Sequence, residues 1–156
     1  MKTIIALALA GGMISAPAAM AMGSFDDAER ILKAGSDYGI TQFRSLEFEY
    51  EGYDDIELEG WVDNDWYVEL DMNDDGSIER EQRRKHGGEP SGLTAEEVRN
   101  YLKAAQAEGM DRLEELKVSS RGYIEVEGND PSGQELEIDF RVGDLTPVRI
   151  ERDDQN

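Results

Sequence analysis

The chain repeats itself, and that limits its possible folds more than any other feature. Asp26–Ile40 (DDAERILKAGSDYGI) lies over Glu96–Met110 (EEVRNYLKAAQAEGM) without a gap. Leu32-Lys33-Ala34 then falls on Leu102-Lys103-Ala104, and Gly39 on Gly109. Downstream, Ile56–Gly60 (IELEG) matches Ile124–Gly128 (IEVEG), and Glu69-Leu70-Asp71 matches Glu137-Ile138-Asp139. Ile78-Glu79-Arg80 matches Ile150-Glu151-Arg152. Matches that keep one order predict a structural unit present twice. The first copy spans residues 24–83 and the second 94–153. Residues 84–93 (RKHGGEPSGL) read as a linker, from two adjacent glycines, a proline and a Ser-Gly pair.

Each copy opens with a helix pattern. Ser24 with Asp27, and Thr94 with Glu97, have capping-box spacing: the hydroxyl accepts a backbone N–H and the acid three residues on reaches back. Phe25, Ala28, Ile31 and Leu32 form one apolar stripe; Ala95, Val98, Tyr101 and Leu102 form the other. Period-two alternation follows. In the first copy Leu46, Phe48 and Tyr50, alternating with Glu47, Glu49 and Glu51, and then Ile56, Leu58, Val62, Trp66, Val68, Leu70 and Met72 are in phase as inward residues, and in the second Leu116, Val118, Ile124, Val126, Leu136, Ile138, Phe140, Val148 and Ile150. Sheets with one wet face are usually antiparallel. The expected fold class is therefore α+β: two tandem copies of a helix followed by about four antiparallel strands, with the helix packed on one face of each sheet.

Residues 1–21 stand apart from this pattern. Met1-Lys2 gives a positive start, Thr3–Ile14 is apolar, and Ala19-Met20-Ala21 places small residues where a signal peptidase reads. The segment is expected to be a cleaved secretory signal, leaving a periplasmic or secreted protein. The formal net charge of the 156-residue chain is −20, and losing Lys2 with the signal takes it to −21. Such a charge disfavours nucleic acid and anionic membranes, and favours a protein partner with a basic surface. The absence of cysteine excludes disulfides and thiolate chemistry.

Chemical motifs are sparse. Asp71-Met72-Asn73-Asp74-Asp75-Gly76-Ser77-Ile78 has the alternating acids and glycine of a calcium-loop opening. The closing position holds Gln82, and a strand pattern precedes where a helix is required; a hairpin turn on Asp75-Gly76 accounts for the same residues. His86 is the only histidine, with no cysteine to join it in a metal site, and no serine has a base to activate it. No catalytic residue, metal site or cofactor is expected. Strand phase places Glu57, Glu59, Trp61, Tyr67, Glu69 and Asp71 on the sheet face away from the helix, and Glu125, Glu127, Glu135, Glu137 and Asp139 on the same face of the second copy. These form the candidate partner-binding set. Trp61 and Tyr67 serve either as exposed contact anchors or as a cross-strand pair.

The segments IELEGWVDNDWYVELDMNDDGSIERE and IEVEGNDPSGQELEIDF, with the later IERD, resemble the PepSY family, whose pattern is a helix, an E-V-E-G strand, a turn, a strand ending in Asp, and a turn to a last strand. The resemblance departs at Trp61–Asp65, which lacks the glycine that Gly133 supplies in the second copy, and at Asp144–Pro147, where an insertion replaces the Asp-Gly turn. It implies a non-enzymatic exported binding module, of the kind that restrains a secreted hydrolase. The architecture is also similar to β-lactamase-inhibitor proteins. A calcium- or cation-binding acidic protein is the alternative, and a carboxylate enzyme a more distant one.

Overall fold

The structure, a computed structural model, describes residues 22–50 and 54–153; the expected signal segment lies outside them. The elements are α1 (Phe25–Tyr38), β1 (Gln42–Tyr50), β2 (Asp54–Trp61), β3 (Trp66–Met72), β4 (Ile78–Lys85), α2 (Ala95–Ala107), β5 (Arg112–Val118), β6 (Tyr123–Asn129), β7 (Glu135–Arg141) and β8 (Asp144–Asp153). Both capping boxes form: Asp27 N donates to Ser24 Oγ at 3.1 Å, and Glu97 N to Thr94 Oγ1 at 3.3 Å. Gly39 ends α1 at φ 119°, and Gly109 follows α2 at φ 105°, left-handed values that favour glycine.

The expectation of two tandem units, each with its own sheet, is corrected here. All eight strands form one antiparallel sheet in the order β4-β3-β2-β1-β5-β6-β7-β8, and β structure predominates over the two helices. The join is β1 against β5, with Ser45 opposite Lys117, Leu46 opposite Leu116 and Glu47 opposite Glu115. The pairing is pseudo-two-fold about Leu46 and Leu116. The segments before the helices extend it crosswise: Leu93 exchanges backbone hydrogen bonds with Phe43 of β1 (2.7 and 2.9 Å), and Gly23 does the same with Leu113 of β5 (both 2.9 Å). Each half thus supplies a short arm to the central strand of the other.

A single core lies between the helices and the sheet. Ala28, Ile31 and Leu32 of α1 and Val98, Tyr101 and Leu102 of α2 cover Leu46, Leu58, Val68, Leu70, Leu116, Val126, Leu136, Ile138 and Phe140. The helices also meet each other, with Arg99 donating to both oxygens of Glu29 at 2.7 and 2.8 Å. Two apolar expectations fail at the sheet margin. Val148 and Ile150 of β8 are 49% and 40% exposed, because α2 does not reach far enough to cover the outermost strand. Trp66, in phase with the core, is only half-buried, with the Arg83 guanidinium 5.1 Å from its ring centroid. The last sequence match also dissolves. Leu70 opposes Glu81 and Ile138 opposes Ile150, so Ile150 is the counterpart of Glu81 and not of Ile78.

The repeated Glu-Gly of β2 and β6 has a steric cause. Irregularities between Phe43 and Ser45, and between Leu113 and Glu115, bring the neighbouring backbone close to these glycines. A Cβ on Gly60 would lie 2.5 Å from the Gln42 carbonyl oxygen, and one on Gly128 2.0 Å from that of Arg112. Neither oxygen can retreat without breaking the pairing. Gly128→Ala is expected to lower stability by about 2–3 kcal/mol, read as a lower urea midpoint with an unchanged slope. Gly87→Ala, where a Cβ meets nothing within 4 Å, should leave the midpoint in place.

Candidate binding face

Because side chains alternate, burying Leu46, Leu58, Leu70, Leu116, Val126 and Ile138 under the helices turns every intervening residue to the opposite face. Among the described residues no element covers that face along most of its length, and the strand registers align it into two rows crossing all eight strands. One row reads Arg80, Asp71, Glu57, Glu47, Glu115, Glu127, Glu137, Glu151. The other reads Gln82, Glu69, Glu59, Ser45, Lys117, Glu125, Asp139, Arg149. The first row thus places seven carboxylates on seven consecutive strands, at the interstrand spacing of about 4.8 Å.

Three cations answer them. Arg80 pairs with Asp71 at one margin. Lys117 Nζ lies 2.8 Å from Glu115 Oε1 at the centre. Arg149 holds Asp139 Oδ2 at 2.7 Å, Glu151 Oε1 at 2.8 Å and also Glu137 at the other margin. The acids still outnumber the cations, and like charges directly opposite across strands are destabilising. The strain surfaces at Glu127, whose carboxyl is pushed up to about 8 by burial, by a hydrogen bond with Glu125 and by repulsion from Glu125, Glu115 and Glu137. Burial also raises Glu137, against the opposing pull of Arg149. Glu127 therefore holds a proton to higher pH than an ordinary carboxylic acid does.

The expected site residues are distributed as follows. Glu57, Glu59, Glu69, Asp71, Glu125, Glu127, Glu137 and Asp139 stand in the two rows and are half-buried. Glu135 shares their face but lies outside the rows, opposite Asn129 and Asp153. Trp61 and Tyr67 are on this face yet not exposed. They oppose each other across β2 and β3 with ring centroids 5.4 Å apart, and keep only 4% and 8% exposure. His86 packs edge-on against Trp61 at 5.1 Å, and the Arg84 guanidinium lies 4.8 Å from the Tyr67 ring. The Tyr67 hydroxyl donates to Glu59, and burial raises its proton affinity further. Exposed aromatic anchors are therefore absent from this position; the residues form the cross-strand pair, capped by the chain that follows β4. The candidate set left out Glu47, whose alternation with Leu46 the sequence already shows, and Glu115 and Glu151. Extending the alternation of β1 and β5 outward from Leu46 and Leu116 supplies the first two.

The calcium-loop pattern resolves into a hairpin turn between β3 and β4. Gly76 N donates to the Asn73 carbonyl at 2.8 Å with φ 83° at the glycine, and Ser77 N donates to Asp75 Oδ1 at 2.9 Å. Asp71 belongs to the strand and pairs with Arg80, so the ligand set of such a loop is not assembled. Residues that could hold a cation lie instead on the open face. They are the trios Glu57-Glu69-Asp71, Glu115-Glu125-Glu127 and Glu125-Glu137-Asp139, each with oxygens within 4.8 Å of one another.

Glu127 makes stability depend on pH. Its folded value lies above the ordinary 4.5, so its contribution to the folded state is complete below that pH and disappears as pH rises through about 8. Glu127→Gln keeps the donor and removes the titration. It should match wild type near pH 4 and be more stable near pH 9, by about 1 kcal/mol once solvent screening is allowed for. Urea midpoints of the two proteins across that range test this.

No family model matches the chain, and none of the curated proteins searched matches it. Among solved structures, a candidate lipoprotein from Clostridium difficile 630 aligns over 84% of this chain and 93% of its own, at 14% identity with a TM-score of 0.45. Among the described residues, no helix is long and apolar enough to cross a membrane.

Proposed function

We propose that the protein is an exported, non-catalytic binding module that takes a basic protein surface on the open face of its sheet. One observation carries the reading: seven carboxylates in register across seven strands, on a face that the helices leave open. An arrangement that costs stability through repulsion is accounted for if a cationic partner relieves it. Its field would also steer and speed association. The apolar run and small-residue end of residues 1–21 support export. The PepSY-like strand pattern supports a binding role, with a secreted hydrolase as the partner class it suggests.

A surface-plasmon-resonance series with immobilised protein, using small basic and acidic proteins as probes, tests this. Basic probes should bind, with association slowing as salt rises toward 0.15 M, where screening acts beyond about 8 Å. The double variant Glu125→Gln with Glu127→Gln should associate more slowly while being more stable than wild type. That opposition of signs is expected only where charge is held against stability for binding. Equal responses to basic and acidic probes would remove the proposal.

The three carboxylate trios favour a second reading, in which divalent cations bind the same face. Titration with calcium by calorimetry distinguishes it, since heat at millimolar calcium or below is expected there and none is expected for a surface that takes only basic proteins.

A further inference from the structure

The two outer strands occupy the same place in the two halves but differ in what they present. Their registers match Arg80 with Arg149, Gln82 with Glu151, and Glu81 with Ile150. Where β4 turns a charged residue to the helix side, β8 therefore turns Ile150, 40% exposed although it opposes the fully buried Ile138. Val148 and Leu145 on the same strand are 49% and 50% exposed. Among the described residues no strand pairs with the outer edge of β8. Sheet edges are ordinarily guarded by charge, proline or a covering element; β8 carries Pro147, Arg149 and Glu151 but leaves Val148 and Ile150 exposed between them, so charge limits which strand can add there.

The other side of β8 specifies what can pair there. Arg149 and Glu151 flank Ile150, share the open face and carry opposite charges. An antiparallel strand of the same sequence, centred on Ile150, would set Arg149 against Glu151 of a second copy and Glu151 against Arg149 of that copy. Ile150 would meet its own equivalent on the helix side. The protein already contains such a contact: the equivalent strands β1 and β5 pair antiparallel about Leu46 and Leu116.

We propose that β8 pairs with β8 of a second copy about a two-fold axis at Ile150, joining two sheets into one of sixteen strands. The contact is isologous and closes after two copies. The edge of one strand is smaller than the roughly 1,200 Å² of a stable interface, and each chain carries a formal charge of −20, so the dimer is weak and concentration-dependent. Salt near 0.15 M screens the overall repulsion while leaving the paired charges in contact.

Sedimentation equilibrium of the full chain at that salt, up to about millimolar concentration, tests the proposal. Wild type should show a monomer–dimer equilibrium. Glu151→Arg and Arg149→Glu each set like charges opposite one another, and each should weaken self-association by about tenfold or more. Mixed together the two variants become complementary again, at both pairs, and should form a heterodimer at least as tight as the wild-type dimer. Should Arg149→Glu fail to fold by circular dichroism, Ile150→Lys reads the same contact from the helix side and should be monomeric. A wild type that stays monomeric overturns the proposal and leaves this edge for a different partner. Variants that dimerise as wild type does, or a mixture that fails to recover association, overturn it too.

Discussion

The pairing of β1 with β5 is the interaction on which the rest of the molecule depends. A helix with four strands, at about 60 residues, buries too small a fraction of its surface to be more than marginally stable. Joining two such halves edge to edge removes two exposed strand edges, and with the helices in contact it makes one core of two. The arms at Gly23 and Leu93 complete the join by bonding each half to the central strand of the other. The close approach they require explains local sequence as well: a Cβ on Gly92 would lie 2.4 Å from the Phe43 carbonyl oxygen. The segment read as a linker is thus tied to the sheet at its end by Leu93, and at its start by His86, whose N–H donates to the Asp65 carbonyl at 2.8 Å.

The same join creates the charged face. Separately, each half would carry a short run of acids. Once joined, Glu47 and Glu115 become neighbours across the seam, and the runs fuse into a row that spans the sheet. The cations sit where neighbours are lost or repulsion concentrates, with Arg80 and Arg149 at the margins and Lys117 at the seam. Between seam and margin in the second half, Glu127 is held instead by its hydrogen bond with Glu125, with its proton affinity raised. The fold tolerates the row because a deep apolar core on the other side outweighs contacts each worth about 1 kcal/mol or less.

How much of this was legible follows from which forces are local. The helices and their caps could be read because a capping box is complete within four residues, as Ser24–Asp27 and Thr94–Glu97 are. Alternation gave the face of Glu57, Glu59, Glu125 and Glu127, since side-chain direction is a property of the single strand. It could not give the neighbour across a sheet, so the fusion of two sheets into one was not legible. It also could not say what lies over a residue, so it left Trp61 and Tyr67 open between exposed anchors and a cross-strand pair; His86 and Arg84, which arrive from further along the chain, cover them. The final strand failed for another reason. The identity of Ile78-Glu79-Arg80 with Ile150-Glu151-Arg152 outweighed register, which irregularities in both outer strand pairs had shifted.

The breaking of the internal symmetry decides which part of the face a partner can use. The counterparts of Trp61 and Tyr67 are Asn129 and Glu135, opposite each other on β6 and β7. In the first half, that end of the face is filled by two rings, a histidine and an arginine, and among the described residues the buried Trp61 Nε1 has no hydrogen-bond acceptor. Filled and closed in this way, the cluster supports the sheet and leaves little for a partner to displace. Among the described residues the second half carries no such cap over Glu135; there Arg149 holds Glu137 and Asp139, Lys117 stands opposite Glu125, and Glu127 shares a hydrogen bond with Glu125. On the proposed reading, a cationic surface meets packed rings at the Trp61 end of the face and the exposed Glu135 at the other.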